Sequence, residues 1–147
     1  MRSLVEITQL FLVPMRERKQ GTIINVASTA AFQPVPFMAT YAASKAFVIS
    51  FSEALWEENR PFGVHVMALC PGVTETNFFA AAKMDRPPMR GSQTPEEVVE
   101  TALRGLKRKR SSIISGWTNK SVAFAVRLFP RSVVLRLTGK VLRQRFG

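Results

Sequence analysis

The sequence predicts an α/β protein built around a parallel sheet, and three observations support that fold class. Apolar stretches at residues 22–27, 64–70 and 111–115 have the length and β-branched composition of buried strands. Segments with helical periodicity lie between and around them. Strands that alternate with helices favour parallel pairing through right-handed crossovers. We therefore expect a three-stranded parallel sheet with flanking helices.

The first strand is predicted between two helices. A helix is expected over residues 3–18, where apolar residues recur at helical spacing, and Pro14 is expected to kink it. Gly21 ends this helix and the strand 22–27 follows. A loop that contains two prolines then leads into a long helix, from about Thr40 to Asn59.

The second half of the chain continues the alternation of strands and helices. A Pro-Gly turn ends the strand 64–70. Thr94 begins a helix with a capping-box sequence, Thr-Pro-Glu-Glu, and this helix is predicted to run to about Lys109. The third strand follows, and two basic helical stretches divided near Pro130 finish the chain.

The predicted sheet is incomplete at one edge. The chain begins on a helix, and the strand 22–27 would have one side without a neighbouring strand, which is a liability for a complete domain. We therefore expect residues 1–116 to be the carboxyl-terminal part of a larger domain. Residues 117–147 are expected to form a basic amphipathic helical tail.

The charge is unevenly distributed along the chain. The net charge is +11, yet residues 1–100 carry nine Lys/Arg and ten Asp/Glu, whereas residues 101–147 carry twelve Lys/Arg and no acidic residue. No recognised nucleic-acid-binding module accompanies this charge, so we expect no nucleic-acid partner. The single cysteine, Cys70, excludes a disulfide framework, no metal-ligand spacing is present, and a cytoplasmic location is expected.

The strongest candidate for chemistry is the pair formed by Tyr41, the only tyrosine, and Lys45. Residues four apart lie on one face of a helix. A free phenol is a poor acid or base near neutral pH, but an adjacent ammonium favours its ionised form. The pair is thus a candidate general acid/base, although this spacing alone also occurs by chance.

Ser28 and the Pro71-Gly72 turn strengthen that interpretation because each follows a predicted strand. Ligands of parallel α/β sheets gather beyond the carboxyl ends of the strands. Taken alone, Ser28 is better explained as a turn or capping residue. Taken with Tyr41 and Lys45, it favours a ligand-binding role.

Three segments together resemble a known family. GTIINVAS, YAASKAFVISFSEAL and GVHVMALCPGVTET match, in type, order and spacing, the carboxyl-terminal part of the short-chain dehydrogenase/reductase family. The resemblance implies a partial Rossmann-like fold and NAD or NADP as cofactor. It also implies hydride transfer between the nicotinamide and a ketone or secondary alcohol.

The resemblance assigns a role to each matching residue. Ser28 would bind the substrate oxygen, Tyr41 would give or take its proton, and Lys45 would favour the ionised phenol and hold the nicotinamide ribose. The cofactor-binding positions that the resemblance implies are Tyr41, Lys45, Pro71, Gly72, Val73 and Thr76. Ala27 stands where many members of the family have a serine.

Other parts of the family pattern are absent. The eight glycines never cluster into the pyrophosphate-binding turn, and the family's catalytic asparagine is not found. We therefore expect a truncated sequence that does not turn over substrate by itself.

Phe78, Phe79, Met84 and Met89 indicate either an apolar substrate pocket or simple packing of their loop. The resemblance also implies that helices 3–18 and 40–59 pack between the subunits of a homo-oligomer of the intact protein.

The basic tail leaves two interpretations open. Arg136, Lys140 and Arg143 share a helical face, and Val134, Leu137 and Val141 lie roughly opposite. The tail would either lie on an anionic membrane surface or form a solvated helix over the sheet edge. An alternative function is therefore a non-catalytic module that binds membranes or partners.

His65 has no partner histidine and is expected to be structural.

Overall fold

The computed structural model describes residues 1–76 and 92–146 and contains the predicted parallel sheet, in the order β1-β2-β3. The strands are β1 (Gly21–Val26), β2 (Val64–Cys70) and β3 (Ser112–Ile114). β1 pairs with β2 from Gly21↔Val64 to Val26↔Leu69, and β2 pairs with β3 from Ala68↔Ser112 to Cys70↔Ile114. The predicted β1 was one residue too far along the chain, and the predicted β3 was two residues too long.

Five α-helices surround the sheet within the described residues. They are α1 (Arg2–Glu17), α2 (Ala39–Asn59), α3 (Pro95–Lys107), α4 (Trp117–Leu128) and α5 (Arg131–Phe146). Short 3-10 turns at Thr29–Phe32 and Arg60–Phe62 follow β1 and α2. The predicted helices are confirmed with ends that shift by one or two residues. Phe78, Phe79, Met84 and Met89 lie outside the described residues.

α1 continues through Pro14. Proline lacks the N–H that would bond the carbonyl of Leu10, four residues earlier. Both residues lie on the exposed face of the helix, so water can bond that carbonyl. On the opposite face Thr8 and Leu12 are buried, which shows that one side of α1 packs against the protein.

β2 is the centre of the core because both of its faces are covered. Val64 and Val66 pack with Leu12 and Leu55, while Ala68 and Cys70 pack with Ala27 and Val48. On the other face Met67 and Leu69 pack against Val98 and Ala102 of α3. A strand buried on both sides has a continuous apolar sequence, which explains why its boundaries were predicted correctly.

β1 differs from β2 because one of its faces is open. Ile24 is exposed, and Val26 keeps 53% of its accessible surface, although both are β-branched residues within a strand. β1 is also the edge of the sheet among the described residues. The predicted uncovered edge is therefore present.

α3 begins with the predicted capping box. The Glu97 N–H donates to Thr94 Oγ1 at 3.3 Å, and the Thr94 N–H donates to Glu97 Oε2 at 3.0 Å. These bonds satisfy two donors that the helix itself cannot satisfy. They fix the start of the helix that covers the second face of β2.

Leu12→Ala should lower the free energy of unfolding by about 2–5 kcal/mol, because it leaves a cavity between α1 and β2 where Leu12 is only 1% exposed. Urea denaturation followed by circular dichroism measures the change. The matched control is Leu103→Ala on α3, where the side chain is 52% exposed and a change within about 0.5 kcal/mol is expected. Equal losses for the two variants would contradict the packing described.

Candidate functional site

Backbone hydrogen bonds hold the carboxyl ends of β1 and β2 together. The Ala27 N–H donates to the carbonyl of Leu69 at 2.7 Å, and the Thr29 N–H donates to the carbonyl of Pro71 at 2.9 Å. Ser28 lies between these two anchors. The parallel pairing therefore brings Ser28 next to the Pro71-Gly72 turn, as expected for two parallel strands that end at one edge.

Ser28 caps the 3-10 turn that follows it. Its backbone is extended, and its Oγ accepts a hydrogen bond from the Ala30 N–H at 3.2 Å. The side chain is largely buried. The capping role considered for Ser28 is therefore present. A serine hydroxyl also has one O–H donor, which this bond does not use.

Lys45 connects the long helix to the end of β1. Its Nζ donates to the carbonyl of Val26 at 2.9 Å, two residues before Ser28. The same Nζ lies 5.8 Å from the centroid of the Tyr41 ring. Burial lowers the pKa of the Lys45 amine from its ordinary value, because the charged form loses hydration there. The amine thus lies between the half-buried tyrosine and the strand end.

Two polar contacts that the sequence did not predict position α2 on the sheet. Asn25 Nδ2 donates to Ser52 Oγ at 3.0 Å, and Ser52 Oγ donates to the carbonyl of Val48 at 2.7 Å. Ser112 Oγ donates to Glu53 Oε1 at 2.6 Å. Asn25 and Ser52 are buried, so their bond satisfies groups that would be costly to leave unpaired. Two strands therefore fix the helix that carries Tyr41 and Lys45.

The turn after β2 is held by neighbours from later in the chain. The Gln93 N–H donates to the carbonyl of Val73 at 3.0 Å, and the Glu75 N–H donates to the carbonyl of Gln93 at 2.9 Å. A Cβ at Gly72 would overlap the carboxamide of Asn119, which donates to the carbonyl of Ser115 at 2.7 Å. Gly72 therefore allows a close approach, and no local pattern indicated Asn119.

The predicted cofactor-binding residues thus share one end of the sheet. Pro71, Gly72 and Val73 form the turn, and Thr76 follows, with its N–H donating to the carbonyl of Thr74 at 2.8 Å. Hydroxyl, amine and backbone groups are suitable partners for a nicotinamide and its ribose. In the sequence, the glycines never cluster in the way that a pyrophosphate-binding turn requires. The donor set fits one half of a dinucleotide.

His65 and Cys70 have environments that differ from this site. His65 Nε2 lies 2.8 Å from the carbonyl oxygen of Arg110. It is five residues before the end of β2, about 16 Å along the strand. Cys70 is fully buried, and its burial, followed by the charge of Glu53, raises the pKa of the thiol to about 12. Among the described residues, no cluster of three or more His, Cys, Asp or Glu could hold a metal ion.

Comparisons with known proteins support the fold and the family resemblance. The family model for short chain dehydrogenase matches residues 1–87. The chain is 34% identical over 111 residues to the ketoacyl reductase HetN of Nostoc sp., a match that covers 75% of this chain and 39% of HetN. It is 32% identical over 151 residues to the very-long-chain 3-oxoacyl-CoA reductase of Anas platyrhynchos, covering 98% of this chain and 46% of that protein.

A solved structure supports the same relationship. The chain superposes on a short-chain dehydrogenase from Sphingobium yanoikuyae in complex with NADPH, with a TM-score of 0.72 and 30% sequence identity. The match covers 78% of this chain and 44% of that chain. The chain therefore spans less than half the length of each of these relatives.

The Cys70 thiol should resist modification in the folded protein. At pH 8, native Cys70 should react with an aromatic disulfide reagent on the order of 10³-fold more slowly than in guanidinium, because burial suppresses both thiolate formation and access. The matched control carries Cys70→Ala and Ser121→Cys, which places a thiol at an exposed helix position. Equal native rates for Cys70 and the control thiol would contradict the burial.

Proposed function

Because the chain belongs to the short-chain dehydrogenase family, we propose that it supplies the acid/base half of a nicotinamide-dependent oxidoreductase. The reaction is hydride transfer between NAD or NADP and a ketone or secondary alcohol. One observation carries the proposal: the Lys45 amine lies beside the Tyr41 ring and bonds the strand end that leads to Ser28. This contact supports a site in which Ser28, Tyr41 and Lys45 act together at the end of β1.

The proposed mechanism divides the work at the substrate oxygen. Ser28 donates its O–H to that oxygen, and Tyr41 transfers a proton to it during carbonyl reduction or removes the proton during alcohol oxidation. Lys45 stabilises the tyrosinate that remains after reduction, since an adjacent cation favours a negative phenol. The nicotinamide supplies or accepts the hydride.

The same end of the sheet is the proposed cofactor site. Lys45 holds the ribose hydroxyls of the nicotinamide half, Pro71, Gly72 and Val73 line the ring, and Thr76 contacts the carboxamide or a phosphate. The complex of the Sphingobium relative with NADPH supports NAD or NADP as the cofactor class. Ketoacyl reductases among the relatives support an apolar carbonyl compound, such as a 3-oxoacyl thioester, as the substrate class.

We further propose that these 147 residues do not turn over substrate alone. The eight glycines provide no phosphate-binding turn, and without one most of the contacts to the pyrophosphate are missing. The proposed catalytic groups would then bind a dinucleotide too weakly to hold its nicotinamide in place.

A chimera tests this proposal. The amino-terminal part of the Sphingobium yanoikuyae enzyme, ending where its chain superposes on Arg2, is fused to this chain, and NADPH oxidation is measured with a 3-oxoacyl thioester. Turnover should require the fusion, and Tyr41→Phe in the fusion should lower kcat by about 10²–10⁴-fold because the proton donor is removed. NADPH binding, measured by fluorescence, should be retained, because the proposed contacts from Lys45 and the Pro71-Gly72-Val73 turn remain.

The matched control for Tyr41→Phe is Ser44→Ala. This change removes a neighbouring hydroxyl that only bonds the Tyr41 carbonyl within the helix, at 2.7 Å, so kcat should change less than about threefold. A Tyr41→Phe fusion that binds NADPH and reduces substrate as well as the parent fusion would refute the acid/base assignment. Turnover by the unfused chain would refute the requirement for an added amino-terminal part.

We also propose that the chain forms a homo-oligomer through α1 and α2. Ile7, Leu10 and Phe11 form an exposed apolar group on α1, although the opposite face of this helix packs on the sheet. An exposed apolar helix face of this kind is typical of a subunit contact.

Leu10→Glu should dissociate that oligomer, because a carboxylate would have to be buried between the copies. Sedimentation velocity at several protein concentrations measures the change in mass. Leu103→Glu, at an exposed leucine of α3, is the matched control and should leave the mass unchanged. A chain that is monomeric at all concentrations before substitution would contradict this proposal.

A further inference from the structure

Helix α4 exposes an apolar stripe that does not contribute to the core. Trp117, Phe124 and Leu128 are 81%, 66% and 67% exposed. Their spacing of seven and four residues places them on one helical face. Ala123 is buried and attaches the helix to the protein from another face. The stripe therefore remains fully available to a partner.

Helix α5 repeats the combination of exposed apolar and basic residues. Leu137 and Val141 are exposed, and so are Arg136, Lys140 and Arg143. Val134, which the sequence pattern grouped with Leu137 and Val141, is instead buried. Val134 therefore attaches the helix to the protein, while Leu137 and Val141 stay exposed.

A cationic groove lies beside the stripe. It has a volume of about 470 Å³ and is bordered by β3, α4 and the 3-10 turn after Ser28. Its basic residues are Arg108, Arg110, Lys120 and Arg127. Phe124 belongs both to this groove and to the stripe. The apolar surface and the cations therefore form one continuous area.

The cations of this groove have no carboxylate partner within residues 1–76 and 92–146, where the ion pairs are Arg2–Glu6 and Arg60–Glu57. Ser112 of the groove wall donates a hydrogen bond to the carboxylate of Glu53. The sequence after Glu100 contains no acidic residue. The area is complementary to a surface of negative charge.

We propose that α4, α5 and this groove form a binding surface for an anionic lipid bilayer. The Trp117–Phe124–Leu128 stripe enters the interfacial region, where tryptophan is favoured because its ring is apolar and its N–H is polar. Lys120, Arg127 and the groove arginines bind lipid phosphates. In this proposal α4 and α5 lie along the surface, with their apolar residues towards the lipid. Within residues 1–76 and 92–146 no helix is long and apolar enough to cross a bilayer.

The apolar stripe distinguishes this partner from a nucleic acid. A phosphate backbone would be recognised by the cations alone and would leave Trp117, Phe124 and Leu128 exposed to water. A bilayer offers phosphate at its surface and hydrocarbon a few ångströms below it. Of these two partners, only the bilayer would contact both the apolar stripe and the cations.

The test uses the full 147-residue chain carrying Trp56→Phe, so that Trp117 is the only tryptophan and its fluorescence can be followed. Vesicles of phosphatidylcholine, with or without about 30% phosphatidylglycerol, are added and sedimented. The chain should sediment with the anionic vesicles, and its emission should shift to shorter wavelength. Raising the salt from about 0.1 M to 1 M, which shortens the screening length from about 10 Å to 3 Å, should release it.

Two paired variants separate the contributions. The double variant Trp117→Ser with Phe124→Ser removes two aromatic residues of the apolar stripe. This variant should lose binding to the vesicles, which sedimentation measures. Lys120→Gln with Arg127→Gln removes two cations and should weaken binding to anionic vesicles on the order of tenfold or more. The matched controls on exposed sites elsewhere are Val99→Ser with Leu103→Ser, and Arg18→Gln with Lys19→Gln; both should bind normally. Circular dichroism checks that every variant folds.

Several results would overturn the proposal. These are the absence of binding to anionic vesicles, equal binding to neutral vesicles, and equal losses in the control variants. Binding to a DNA duplex that competes fully with vesicles would assign the cations to nucleic acid. The parent chain could also fail to bind vesicles while its mass in sedimentation velocity falls when Trp117 and Phe124 are replaced by serine. That result would show that the stripe contacts a second copy of the chain.

Discussion

The parallel pairing of β1 with β2 is the constraint on which the candidate site depends. It aligns Val26 with Leu69, and the two backbone bonds that follow carry the alignment into the loops on either side of Ser28. Without that alignment, Ser28 and the Pro71-Gly72 turn would lie at different positions along the strand direction and would not be adjacent. A one-residue slip would also turn every side chain of β1 to the opposite face. The geometry of the site is therefore determined mainly by the backbone.

The sequence predicted those parts of the fold that follow from local patterns. The continuous apolar run of β2, the capping box at Thr94 and the Tyr41–Lys45 spacing each require only a few consecutive residues. Contacts that join distant positions have no such pattern. The Asn25–Ser52 bond and the approach of Asn119 to Gly72 depend on how helices settle on the sheet, which propensity does not specify.

The solvent exposure of apolar side chains differs between the central strand and the periphery of the molecule. β2 is enclosed on both faces, whereas β1 leaves Ile24 and Val26 partly open to solvent, and the basic helices expose aromatic and aliphatic side chains. Charge follows a similar division, with a nearly neutral first two-thirds and a wholly cationic remainder. The proposed chemistry lies in the nearly neutral part of the chain, and the proposed lipid contact lies in the cationic part.

Phe32 connects these two parts. It ends the short turn that Ser28 begins, and its ring lies 5.7 Å from the guanidinium of Arg127. Moving α4 away from this turn would break the contact, and a rearrangement of the Ser28 turn would move the ring away from its cation. The two events are thus energetically linked, and linkage of this kind acts in both directions. Occupancy at one end of the turn would be transmitted to the other as a change in affinity.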